Sequence, residues 1–256
     1  MEYGLIGRTL RHSYSKEIHE ELADYEYELC PLSDEEFPRF MEAREFRAIN
    51  VTIPYKKSVI PYLREMDSMA AAIGAVNTIV NRDGELFGYN TDYPGFLYML
   101  RKNGIDVTGK KVLLIGNGGA AQAVRACVND EGASEIVTVR RSPDPKCVTY
   151  DEVYSKHTDA EIVINTSPVG MFPDNDSSPI DLSGFKKCTA VVDVIYNPLT
   201  TKLVVQAREL GMTGVTGLEM LVAQAKYAVE IFLDKEIEDG EIDRIYRKMI
   251  ADFEKK

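Results

Sequence analysis

Residues 111–121 read Lys-Val-Leu-Leu-Ile-Gly-Asn-Gly-Gly-Ala-Ala, and this stretch decides the fold. The apolar run stops at Gly116, and Ala120 to Val128 then reads as a helix. Glycines at that junction permit a tight strand-to-helix turn and let backbone N–H groups approach a pyrophosphate at the helix N-terminus. Ala121 stands where the usual pattern carries its third glycine, a variation the fingerprint allows. Apolar runs recur at Glu135 to Val139, Glu161 to Asn165 and Ala190 to Val194. Short apolar runs separated by helical segments argue for a parallel sheet covered on both faces. A doubly wound, Rossmann-like α/β domain that binds a dinucleotide is therefore expected over residues 92–216, with Gly116, Asn117, Gly118, Gly119 and Ala120 around the phosphates.

The end of the second run distinguishes the dinucleotides. NAD sites usually carry an acidic residue there to bind the ribose 2′-hydroxyl. Here the chain reads Val139-Arg140-Arg141-Ser142. Two cations and a hydroxyl suit a 2′-phosphate, so NADP is expected as cofactor; the alternative is a solvated basic turn.

On the N-terminal side, Tyr3 to Ile6 reads as a strand and Ser15 to Tyr25 as a helix with Ile18 and Leu22 on one side. Ser33 and Glu36 form a capping-box pattern for a helix running to about Ala43. Asn81-Arg82-Asp83-Gly84 is a hairpin turn between Ala75–Val80 and Glu85–Tyr89. Three helical segments follow the last apolar run: Thr200 to Leu210, Gly217 to Leu233 and Gly240 to Phe253. The last two have no strand to feed and are expected to pack on the N-terminal part. A discontinuous α/β domain, 1–91 plus 217–256, results, with a ligand cleft expected between it and the dinucleotide domain.

Composition limits the partners. The 256 residues hold 30 Lys and Arg against 41 Asp and Glu, a net charge of −11. That average field repels nucleic acid and anionic membrane surfaces, while leaving room for a local basic pocket and a small anionic ligand. Four cysteines without a CxxC pair and three scattered histidines give no metal or redox motif. Free thiols, an N-terminus lacking signal-peptide character and no apolar stretch near the ~20 residues of a membrane span point to the cytoplasm. A monomer or homodimer is expected.

Several polar clusters make sense only together. His12-Ser13-Tyr14-Ser15 brings two hydroxyls to a helix start, either as a carboxylate cradle or with Ser15 as a simple N-cap. Asn50-Val51-Thr52-Ile53-Pro54-Tyr55-Lys56 ends a strand with polar groups beyond it. Asn77-Thr78 interrupts an apolar run, where an amide is costly unless bonded. Asn90-Thr91-Asp92 falls at the domain border, and Asn165-Thr166-Ser167 with Gly170-Met171 ends the third run, where open α/β sheets bind ligands.

HSYS, INVTIPYK, GAVNT, GYNTDYPGF, GNGGAA, NTSPVGM, DVIYNP and GLEMLVAQA, in this order, closely resemble the shikimate dehydrogenase family. The resemblance runs from Gly4 to about Phe232. It implies NADP-dependent reduction of 3-dehydroshikimate to shikimate, on the route to aromatic amino acids. By the same resemblance, Ser13 and Ser15 hold the substrate carboxylate with Tyr196 nearby. Asn50, Thr52, Asn77 and Gln224 contact the substrate, mostly at its ring hydroxyls. Lys56 and Asp92 match the catalytic pair, with Lys56 expected as acid/base and Asp92 as its positioner. Asn165, Thr166 and Met171 match positions near the nicotinamide, and Gly217 marks the return to the substrate domain.

Two positions depart from the family pattern: Arg140-Arg141-Ser142 stands where Asn-Arg-Thr is common, and Lys16 replaces a proline after Ser15. An NAD-linked quinate/shikimate dehydrogenase is the nearest rival and would carry an acidic residue after the second run. A non-catalytic NADP-binding protein on the same fold would be expected to lose Lys56 or Asp92, and this chain has both.

Overall fold

In the computed structural model, residues 1–10, 13–141 and 144–253 are described; His12 and Ser142 of the motifs above lie outside them. The chain forms two units, Met1–Gly95 with Val222–Lys256, and Phe96–Leu221.

The first unit contains β1 (Tyr3–Gly7), α1 (Ser15–Leu22), β2 (Tyr27–Pro31), α2 (Glu36–Ala43), β3 (Ala48–Val51), β4 (Glu65–Met66), α3 (Ser68–Ile73), β5 (Thr78–Arg82) and β6 (Glu85–Tyr89). α4 (Asp92–Lys102) carries the chain out of it. The second unit continues with β7 (Lys111–Ile115), α5 (Gly119–Asp130), β8 (Glu135–Val139), α6 (Tyr150–Lys156), β9 (Ile162–Asn165), β10 (Ala190–Asp193), α7 (Lys202–Glu209) and β11 (Thr213–Val215). α8 (Leu218–Leu233) returns the chain to the first unit, which α9 (Gly240–Phe253) completes. Both crossings thus fall about one turn inside a helix, slightly beyond the borders 91/92 and 216/217 expected from sequence.

Six strands of the first unit form a mixed sheet in the order β2-β1-β3-β5-β6-β4. Alternation along each strand sorts the side chains onto two faces. Ile6, Ile49, Val51 and Ile79 pack with Phe37 and Met41 of α2. Their neighbours Tyr3, Leu5, Ala48 and Val80 face Ala228 and Phe232 of α8. The β5–β6 hairpin turns at Asp83-Gly84, with φ of 53° and 86°. Those left-handed values are what a two-residue hairpin turn with the right twist demands, hence the Asp-Gly pair. Ser33 and Glu36 do exchange reciprocal side-chain bonds, at 3.2 and 2.8 Å, but on the turn that leads into α2.

The second unit is a five-stranded, fully parallel sheet ordered β11-β10-β9-β7-β8. Leu113, Ile115, Val163 and Val191 face Val153 of α6 and Leu203 of α7. Val112, Leu114, Ile162, Ile164 and Val192 are equally buried, so both faces are covered and the inner strands β7, β9 and β10 read as continuous apolar runs. Counting from β7, the strand order is 2-1-3-4-5, and its direction reverses between β7 and β9. Open α/β sheets bind ligands beyond the strand ends at that switch point.

No helix among the described residues is long and apolar enough to cross a membrane. All four cysteines are unpaired.

His19 of α1 is fully buried, stacked on Tyr27 with ring centroids 4.0 Å apart, and its Nδ1 meets the Tyr25 hydroxyl at 2.8 Å. Its Nε2 has no hydrogen-bond partner among the described residues. Burial pushes the imidazole pKa from 6.5 down to about 3. The folded state therefore keeps His19 neutral while the unfolded chain protonates it, so stability present above pH 6.5 is lost as pH falls toward 3. Asp193, buried at the end of β10, acts in the opposite sense: burial raises its carboxyl to about 6, which favours the folded state as pH falls through 6. Comparing urea midpoints of the parent and His19→Phe at pH 7 and pH 5 isolates the histidine. The parent should lose about 2 kcal/mol more than the variant over that interval; equal losses would show that His19 is protonated in place.

Candidate active site

Lys56 lies in the turns after β3, and Asp92 opens α4. Lys56 Nζ donates to Asp92 Oδ2, with 12% and 8% of the two side chains exposed. Enclosing two charges costs desolvation that their attraction rarely exceeds, so core stability does not explain such a pair. Asp92 is held from three directions. Asn77 Nδ2 donates to Asp92 Oδ1 at 3.0 Å, and the Asp92 N–H donates to Asn90 Oδ1 at 3.1 Å. The Thr91 N–H donates to Asn77 Oδ1 at 2.7 Å, fixing which way that amide points. Lys56 Nζ makes no other hydrogen bond among the described residues, which leaves two ammonium protons for a ligand.

Asn50 stands behind this group. It is buried, its Oδ1 accepts from the Tyr27 hydroxyl at 2.7 Å, and its Nδ2 donates to Asn77 O and Thr78 Oγ1 at 3.2 and 3.1 Å. The amide is thus engaged at both ends and steadies Asn77. Tyr27, Thr78, Asn90 and Thr91 belong to the same network. For Thr78 the sequence signal was polarity inside an apolar run, which says that a bond must exist but not with whom; Asn90 and Thr91 stood out only by their place at the domain border, and nothing marked Tyr27.

Ser13 Oγ donates to Ser15 Oγ at 3.1 Å, and the Ser15 N–H donates to Ser13 Oγ at 3.3 Å. Ser15 is the first residue of α1, and the cap position is Tyr14, which makes no side-chain cap bond. The simple N-cap reading of Ser15 is thereby corrected. The helix starts one residue earlier than that reading needs, and both hydroxyls sit together at its start. Thr52 is half-buried, with its N–H on Ile6 O at 2.9 Å. In α8, Gln224 faces Gly95 of α4, where an added Cβ would stand 2.9 Å from Gln224 N and Cβ. The missing side chain lets the two helices meet and sets Gln224 beside the turn that Asp92 opens.

In the second unit, Gly116 has φ of 106°, and a Cβ there would lie 2.6 Å from Thr166 Oγ1. That hydroxyl donates to Ile115 O at 2.7 Å, joining the β7 and β9 loops at the switch point. Gly118 caps α5 with no side-chain bond, whereas α6 and α7 are capped by Thr149 and Thr201. The first-turn N–H groups from Gly119 and Ala120 onward are left for an anion. Asn117 Oδ1 accepts from Gln122 Nε2 and Arg125 Nη2 at 3.1 and 3.0 Å.

The two arginines after β8 differ. Arg140 is paired with Asp144 at 2.9 Å, while Arg141 is exposed and in no ion pair among the described residues. Asn165 is fully buried: its Nδ2 donates to Asp193 Oδ1 at 3.0 Å and its Oδ1 accepts from Ser167 Oγ at 2.7 Å. It shapes the loop instead of presenting its amide. Met171 on that loop is 45% exposed. Tyr196 follows β10, half-buried. Gly217 donates its N–H to Ile195 O at 2.9 Å, and a Cβ there would collide with Val194 O, so its role is close backbone packing.

The family model described as the shikimate dehydrogenase substrate binding domain matches residues 5–79. A protein of Carboxydothermus hydrogenoformans named shikimate dehydrogenase (NADP(+)) is 38% identical over 250 residues, 89% of each chain. The crystal structure of shikimate dehydrogenase 1 from Peptoclostridium difficile superposes with a TM-score of 0.91 at 32% identity over 99% of both chains. That of the Thermus thermophilus enzyme, in complex with NADP(H) and shikimate, gives 0.86 at 29% identity over 97% of this chain and 99% of that one. With such identity along nearly its whole length, this chain belongs to the shikimate dehydrogenase family.

Proposed function

We propose that this protein is an NADP-dependent shikimate dehydrogenase, interconverting 3-dehydroshikimate and shikimate. The observation that carries this reading is the enclosed Lys56–Asp92 pair, with two ammonium protons unused among the described residues. A ketone reduced to an alcohol needs one proton at its oxygen, and an oriented ammonium supplies it. Lys56 gives that proton and takes it back in the reverse direction. Asp92, fixed by Asn77 and Asn90, holds the ammonium in place. Ser13 and Ser15 receive the substrate carboxylate, and Thr52, Asn77 and Gln224 its ring hydroxyls.

The residues of the second unit fit NADP. The uncapped start of α5 and the Gly116 turn suit the diphosphate, and Arg141, in no ion pair among the described residues, suits the 2′-phosphate. Asn165, Thr166, Met171 and Gly217 shape the nicotinamide side. Bound NADPH supplies the hydride that reduces the ketone carbon. Unpaired thiols fit a reducing cytoplasm, where the protein works on small molecules as a monomer or homodimer.

An initial-rate panel of shikimate and quinate, each with NADP and NAD, tests the reading, with shikimate plus NADP expected to lead. Faster turnover of quinate with NAD would favour the quinate-linked rival. Lys56→Ala should lower kcat by about 10²–10⁴-fold, the usual value of general acid–base catalysis, while NADP binding survives. Retention of more than about a third of kcat would sink this role, because a surface ion pair contributes almost nothing. Arg141→Ala removes a charge-assisted bond of about 1.5–3 kcal/mol and should raise the NADP KM roughly ten- to hundredfold. NAD constants should barely move, and a parallel change in both would refute the assignment.

A further inference from the structure

Arg125 was not among the residues expected to serve the dinucleotide. It projects from the second turn of α5, and its Nη2 donates both to Asn117 Oδ1, in the glycine-rich turn, and to Thr138 Oγ1 of β8, each at 3.0 Å. Its Nε is buried with no hydrogen-bond partner among the described residues. A buried orphan donor is destabilising, so holding a guanidinium there asks for a reason beyond the fold.

Asn117 supplies the reason. An asparagine amide presents a carbonyl on one arm and two N–H donors on the other. Gln122, the second partner of Asn117 Oδ1 at 3.1 Å, can offer either a donor or an acceptor. Arg125 has donors only, so it alone forces the carbonyl of Asn117 inward. The Asn117 NH2 then faces away from Arg125, and it has no partner among the described residues. We infer that Arg125 is a positioning residue for the dinucleotide, locking the Asn117 amide so that its NH2, and not its carbonyl, meets the cofactor diphosphate.

This inference rests on the NADP reading above and differs from the Arg141 assignment in one respect. The diphosphate is common to NADP and NAD, so Arg125 should serve both equally.

Calorimetric titration of the full chain with NADP and with NAD tests it, together with the shikimate KM. Arg125→Ala and Asn117→Ala should each raise both dinucleotide Kd values about tenfold, the effect of one hydrogen bond to a charged group. The NADP-to-NAD ratio and the shikimate KM should stay put. Because the two residues act as one device, the double variant should bind no more weakly than the weaker single variant. Asn117→Asp keeps an acceptor for Arg125 and so keeps the strut, yet turns an anionic oxygen toward the diphosphate; it should show the largest loss. Multiplicative losses in the double variant, parental Kd values in Asn117→Asp, or a lowered Tm with unchanged binding in Arg125→Ala would overturn the inference. A parent chain that binds neither dinucleotide would overturn the cofactor reading and this inference with it.

Discussion

An ammonium and a carboxylate enclosed together, Lys56 on Asp92, are the constraint around which the first unit is organised. Left alone, either charge would be expelled to water or neutralised. The pair persists because Asn77 donates to the carboxylate and Asn90 accepts from the Asp92 N–H, while the Thr91 N–H fixes the Asn77 amide. Those residues are held by Asn50, Thr78 and the buried hydroxyl of Tyr27. A chain of amides and hydroxyls thus runs through the sheet from β2 to the start of α4. The amides Asn50, Asn77 and Asn90 are each engaged at both ends, the condition under which a buried polar network rigidifies a site instead of weakening it.

The second unit depends on a steric constraint. A parallel sheet brings the ends of β7 and β9 side by side, and the loops leaving them share the space where Gly116 approaches Thr166. Any side chain at 116 would part the loops, and the left-handed φ there excludes most residues independently. Gly95 and Gly217 show the same constraint at α4 against α8 and at the turn after β10.

Edge strands explain where the sequence misled about the fold. β2, β4 and β11 lie at sheet edges and were not read as strands, while the inner runs β7, β9 and β10 and the β5–β6 hairpin were; β8, also an edge, was legible because its last three residues are buried. An edge strand has one neighbour and needs fewer apolar residues: β2 buries only Tyr27 fully, and β11 only Val215. Periodicity, the main signal in a single sequence, fades where burial is partial.

The sequence by itself determined the parallel α/β class, the dinucleotide fingerprint at Gly116–Ala121, the basic residues in place of an acid after β8, and the family. These are carried by residue types at short spacings, which local chemistry dictates. Tertiary structure decided what each polar group does. Ser13 and Ser15 bond to one another instead of capping α1, Asn50 and Asn165 are enclosed as supports, and Arg140 is tied to Asp144 while Arg141 is in no ion pair among the described residues. Arg125, silent as a sequence feature, emerges as the link between the glycine turn and β8. The physical reason is that a side chain's role depends on which donor or acceptor lies within about 3 Å of it. For pairs such as Lys56 and Asp92, or Tyr27 and Asn50, that neighbour comes from a distant part of the chain.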